Sequence, residues 1–184
     1  MTAIALGIVF GVGWLLIFAL RAESMGAALP YYSASERLWV RAAPLVLALH
    51  VTVACAYVST LQAVPRLRGA LGMALYAAAL LFWLRARVQI APLDRRPLPD
   101  DAPPTLRRDG PFGLVRNPLY LAYLVAAAAP AIVAARPILV LTWLAAFAAL
   151  AVRAAQEERR LHAQLGPAYA EYCREVKCLI PYVW

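Results

Sequence analysis

The chain has 184 residues, of which 64% are apolar and only 15% charged, with a mean hydropathy of +0.66. A soluble domain carries about 25% charged residues, so this chain has too little polar surface to cover a water-facing globule and belongs in a bilayer. The net charge of +8 does not point to nucleic acid, because the 18 Lys and Arg residues fall between apolar runs rather than in one basic stripe.

About 20 apolar residues cross the hydrocarbon core as a helix. Thr2–Leu20 meets this outright and ends at Arg21 and Glu23. It has no basic stretch before it and no small-residue cleavage pattern before Arg21, so it reads as a retained span. Leu38–Leu61 is the second span, interrupted by Arg41, Pro44 and His50. His50 is expected to hydrogen-bond between helices rather than to act as a base. Gly69–Leu84 is a shorter third span that Arg85 and Arg87 can lengthen by snorkelling. Ala91–Asp109, rich in proline and charge, reads as a non-helical loop over the membrane face. Leu119–Ala135 and Ile138–Val152, separated by Arg136-Pro137, form a tight helical hairpin. Helices are the only economical choice for all five, because lipid offers no partner to an open backbone. Alanines such as Ala126–Ala129 suit close contact between them.

The expected fold is therefore all-α: one integral membrane bundle over residues 1–184, with about five transmembrane helices and a C-terminal cytoplasmic helix. Residues 1–90 supply three spans and 91–184 the functional half. Residues 21–41, 85–118 and 153–184 share one side and carry three, seven and five Lys or Arg residues. The opposite side holds Arg66, Arg68 and Arg136. That asymmetry places the N-terminus outside and the C-terminus in the cytoplasm.

Three cysteines and two histidines are too few and too scattered for a metal site. Cys55 reads as a small buried hydrophobe, and Cys173 and Cys178 as reduced thiols on a cytoplasmic tail. Two segments carry more chemistry. Arg108–Tyr120 (RDGPFGLVRNPLY) gives a glycine-rich turn whose backbone amides can face a ligand, and Pro118 opens the next span without losing a hydrogen bond. It can equally be a turn and cap, with Arg108 and Arg116 as interface anchors. Arg153–Leu165 (RAAQEERRLHAQL) continues the fifth span as a helix until Gly166-Pro167 breaks it. Arg153, Glu157, Arg160 and Gln164 share one face of that helix. The plain alternative is an Arg153–Glu157 surface pair contributing about 0.3–0.5 kcal/mol.

Taken together, the two segments resemble the isoprenylcysteine carboxyl methyltransferase and phospholipid methyltransferase family of membrane enzymes. Five elements carry the likeness in order across residues 104–181: Gly110-Pro111-Phe112; Arg116-Asn117-Pro118-Leu119-Tyr120; Glu157-Glu158; Gly166-Pro167-Ala168-Tyr169 with Tyr172; and Ile180-Pro181. The resemblance implies an S-adenosyl-L-methionine-dependent methyltransferase with its site on the cytoplasmic face. It implies a cofactor pocket lined by Thr105, Leu106, Phe112, Asn117, Pro118, Leu119, Tyr120 and Glu157. Tyr120 and Arg153 would be the catalytic residues, Arg153 facing a lipophilic acceptor that arrives through the membrane lipids. Many members carry His where Asn117 stands and Gly where Ala122 stands, so the resemblance implies no proton transfer at Asn117. The tail Tyr172-Cys173 with Ile180-Pro181-Tyr182 also resembles NADPH-dependent membrane sterol and steroid reductases. A non-enzymatic scaffold is the third reading, and it leaves the clustering of motifs on one side unexplained.

Overall fold

The computed structural model describes residues 2–28, 34–94 and 106–181. Among these the chain is all-helical, in the order α1 (Ala3–Ala28), α2 (Ala34–Ser59), α3 (Arg66–Asp94), α4 (Pro111–Leu114), α5 (Pro118–Ala134), α6 (Pro137–Leu165) and α7 (Pro167–Glu175). Three helical stretches, Val40–Ser59, Arg66–Ile90 and Pro137–Leu165, are long and apolar enough to cross a membrane, and Ala3–Ala19 and Pro118–Ala134 are shorter apolar helices. Ile4, Leu15, Leu45, Leu81 and Leu141 are exposed on the outside of the bundle, each more than 60%. Such an apolar exterior is suited to lipid rather than to water.

Proline opens each of the last four helices, with Pro111 at the start of α4. Pro118, Pro137 and Pro167 each occupy the first turn of α5, α6 and α7, where an absent N–H breaks no bond. The hairpin between α5 and α6 turns at Ala135, which adopts a left-handed conformation (φ 49°, ψ 47°), before Arg136 extends into Pro137. Helix α3 departs from expectation. It begins at Arg66 and runs to Asp94, so its backbone is helical over Ala91–Asp94, the first part of the expected loop. The expectation counted apolar residues, but charge does not end a helix. Trp83 and Ala86 are buried and Gln89 and Ile90 half-buried, so the packed face of α3 continues past Leu84.

The core gathers Phe10 and Trp14 of α1, Leu47 and Val51 of α2, Tyr76 and Trp83 of α3, and the alanine-rich inner face of α5. Ala122, Ala126, Ala127 and Ala129 are buried, and α3 packs most extensively against α5. Small side chains permit that close approach. Hydrogen bonds fix the arrangement of the helices. His50 lies 2.8 Å from Thr142 Oγ1 of α6 and 3.1 Å from the Ala127 carbonyl of α5, which makes it the interhelical bonder expected. Tyr76 donates to the Phe10 carbonyl at 2.9 Å, and the Trp143 indole donates to the Leu124 carbonyl at 2.9 Å.

Candidate functional site

The turn before α5 is built around Gly110, whose backbone (φ 57°, ψ −130°) lies in a region that suits glycine. A side chain there would also collide with Gln89 of α3, whose amide donates to Asp109 at 3.2 Å. The expected glycine-rich turn contains the one-turn helix α4. Val115 then extends (φ −145°, ψ 150°) and pairs in parallel with Lys177 of the tail. The Arg116 N–H donates to the Lys177 carbonyl at 2.8 Å, and the Asn117 N–H to the Cys178 carbonyl at 3.0 Å. Residues 115–117 and 177–178 thus lie side by side as a short two-stranded strap.

Side chains tighten the same junction. Arg116 donates from Nε to Glu158 at 2.6 Å and from Nη1 to the carbonyls of Cys173, at 3.2 Å, and Val176. The Asn117 amide reaches the Cys178 carbonyl at 3.2 Å and its sulfur at 3.5 Å. Tyr172 Oη donates to the Phe112 carbonyl at 2.5 Å. Arg108 donates to the Ala168 carbonyl at 3.0 Å, pairs with Glu171 and Glu175 at 3.4 and 3.5 Å, and lies over the Tyr172 ring. Beneath these bonds Tyr169, Tyr172 and Val176 form a second small core with Leu106, Leu161 and Leu165.

The electrostatics follow from burial. Desolvation alone would lower the Arg116 pKa, but the hydrogen bond and charge of Glu158 outweigh it and hold the guanidinium firmly protonated. Burial raises Tyr169, and pushes Tyr172 and Cys178 each up to about 12. Burial also raises the Cys173 thiol. Both tail thiols are therefore protonated at neutral pH, and neither is an activated nucleophile.

On α6, Arg153 is buried and donates from Nη2 to Glu157 at 2.5 Å. The alternative reading of these two as a pair is thus realised, but not at the surface. The Arg153 side chain is 5% exposed and that of Glu157 32%. Gln156, beside Glu157, is also buried.

The expected site residues fall into two groups. Phe112 and Asn117 are held against the tail, with Pro118 buried and Leu119 half-buried at the start of α5. Leu106 packs on the tyrosines of the second core, and Tyr120 is buried next to Tyr123, ring centroids 6.3 Å apart. Glu157 and Arg153 form the other group. The Arg116–Glu158 bond joins the groups, since Glu158 is the chain neighbour of Glu157. Thr105 lies outside the described residues. Reasoning from sequence assigned no role to Glu158, Gln156 or Tyr172, and it treated Arg116 as an interface anchor. Arg116 and Glu158 were both inside the motifs, but that they bind each other across 42 positions has no local signal.

An apolar groove of about 570 Å³ lies at the far end of the hairpin, among Ala131, Ile132, Arg136, Pro137, Leu139 and Trp143. It includes none of the expected site residues. No group of three or more His, Cys, Asp or Glu is placed to hold a metal among the described residues. No family model matches the chain, and no curated protein matches it.

Proposed function

We propose that this chain is an integral membrane methyltransferase that uses S-adenosyl-L-methionine and modifies a lipophilic acceptor at the cytoplasmic membrane face. It crosses the bilayer about five times, the N-terminus outside, and resembles the isoprenylcysteine carboxyl and phospholipid methyltransferases. The observation that carries the reading is the Arg116–Glu158 bond together with the strap between 115–117 and 177–178. Motif elements scattered over some seventy positions are gathered by these contacts into one junction at one end of the bundle. A scaffold protein has no need for that convergence.

The residues suit the cofactor chemically. S-adenosylmethionine carries a cationic sulfonium, two ribose hydroxyls and an amino group. Glu157 keeps about a third of its side chain exposed at the end of a membrane-facing helix, where a carboxylate can accept from the hydroxyls or the amino group. Phe112 and Tyr120 are aromatic partners for a sulfonium. When bound, the cofactor supplies an electrophilic methyl group. The protein's part is to hold the acceptor and the cofactor in line and to exclude water, which accounts for several kcal/mol of barrier. Arg153, buried behind Glu157, orients the acceptor. Asn117 acts as a structural hydrogen bonder and transfers no proton.

Calorimetry on the purified protein in detergent tests the reading. S-adenosylmethionine or S-adenosylhomocysteine should bind and NADPH should not. The reverse preference would replace this reading by the reductase one. Incubation with membrane lipids, followed by mass spectrometry for species that gain one methyl group, then identifies the acceptor.

A further inference from the structure

Gln156 is a buried polar residue that the site described above leaves unused. It is 6% exposed, and its side-chain oxygen is buried with no hydrogen-bond partner among the described residues. A buried acceptor without a donor is costly, and folded proteins leave few such atoms without a reason. Packing gives none here. A leucine would fill the same place on α6 without the penalty.

The neighbours suggest what the oxygen is for. Gln156 lies one helical turn beyond Arg153 and next to Glu157, and the latter opens the cluster to solvent. The charge on Arg153 is matched by Glu157 at 2.5 Å. The Gln156 amide oxygen and the exposed part of the Glu157 carboxylate can each still take a hydrogen-bond donor. A primary ammonium or a hydroxyl would satisfy both.

We propose that Gln156 is a ligand-binding residue whose buried amide oxygen receives a hydrogen bond from an N–H or O–H group of a molecule bound beside the Arg153–Glu157 pair. That donor belongs either to the amino group of the cofactor or to the head group of a membrane lipid, an assignment that rests on the methyltransferase reading for the first source only.

The test uses the full chain, wild type and Gln156→Leu, with two probes. The first is S-adenosylhomocysteine by calorimetry. The second is competition between phosphatidylethanolamine and phosphatidylcholine, read by native mass spectrometry, since these lipids differ in whether the head-group nitrogen bears N–H. Gln156→Leu should weaken one of the two interactions about tenfold or more, while the melting temperature of the ligand-free protein holds or rises. Lost S-adenosylhomocysteine affinity names the cofactor as the donor, and lost preference for phosphatidylethanolamine names the lipid. Gln156→Met, unbranched and of similar length, carries the same test should Leu disturb the fold. If wild type ignores S-adenosylhomocysteine but Gln156→Leu still erases the lipid preference, the methyltransferase reading falls and this one stands. Equal behaviour of wild type and both variants toward both probes overturns it, as does a wild type that neither binds S-adenosylhomocysteine nor distinguishes the two lipids.

Discussion

Arg116 and Glu158 meet at 2.6 Å across 42 positions of chain, with only 11% and 19% of their side chains exposed. Arg116 also caps two tail carbonyls, of Cys173 and Val176. Removing one partner of a buried pair costs about 3–5 kcal/mol, because the survivor keeps its desolvation penalty. Arg116→Ala should therefore lower the melting temperature in detergent more than Glu158→Ala, since it strands a carboxylate and two carbonyls together. Additive effects in the double variant would show that the two side chains do not couple in solution.

The strap predicts the reactivity of the tail. Cys178 is 5% exposed and hydrogen-bonded to Asn117, whereas Cys173 is half-buried. Alkylation at pH 8, mapped by peptide mass spectrometry, should modify Cys173 well before Cys178. Arg116→Ala should free the tail and bring the two rates together. Unchanged protection of Cys178 in that variant would mean that the backbone pairing alone holds the strap.

Alkaline pH should loosen the same junction. Burial lifts Cys178 from 9.0 to about 12, and Tyr172 from 10.0 to about 12. Between those values the folded state holds protons that the unfolded chain has lost, so stability falls as pH rises. The contribution is complete below about pH 9 and gone near 12. Tyr172→Phe removes one titrating group and should flatten the fall in melting temperature above pH 10. A slope identical to wild type would exclude Tyr172 from this linkage.

Gly110 and Gly166 share nearly one backbone conformation, φ 57°, ψ −130° and φ 54°, ψ −128°, but not one environment. A Cβ on Gly166 meets open space, whereas on Gly110 it would come within 2.5 Å of the Gln89 amide. Gly166→Ala should cost the backbone strain alone, about 1–3 kcal/mol. Gly110→Ala should cost more, by the loss of the Gln89–Asp109 hydrogen bond. Equal melting temperatures would mean that Gln89 moves aside freely.

Much of this architecture was legible where the signal is local. Pro118 marked a helix start, Arg136-Pro137 marked the hairpin, and Gly166-Pro167 marked the break after α6, because each acts on its own backbone. His50 was readable because a polar group inside an apolar run must find a partner in its neighbours. The length of α3 was misjudged since composition measures the apolar stretch and not the helix, and Trp83, Ala86 and Ile90 show the packed face running on. The site was legible as residue types but not as contacts. Arg116 was visible as a cation and Tyr172 as an aromatic. Their partners, Glu158 and the Phe112 carbonyl, lie 42 and 60 positions away, and only the fold pairs them. The burial of Arg153 was hidden for the same reason.

The last prediction turns on that burial. The Arg153 side chain is 5% exposed and that of Glu157 32%, so the two members of the pair are not equivalent. If the pair is only structural, Glu157→Ala strands a buried cation and costs up to about 3–5 kcal/mol, while Arg153→Ala leaves a carboxylate that water can reach and costs less. Both variants would then lose stability, in that order, with S-adenosylhomocysteine affinity unchanged. If Glu157 holds the cofactor and Arg153 the acceptor, the outcome separates differently. Glu157→Ala should weaken S-adenosylhomocysteine binding by about 1.5–3 kcal/mol, the value of a charged hydrogen bond. Arg153→Ala should keep that affinity while transfer of labelled methyl groups to membrane lipid collapses. Melting curves, calorimetry and the transfer assay on both variants distinguish the two cases. Stability losses without any change in cofactor affinity would take this end of α6 out of the active site and leave the methyltransferase reading without its carboxylate.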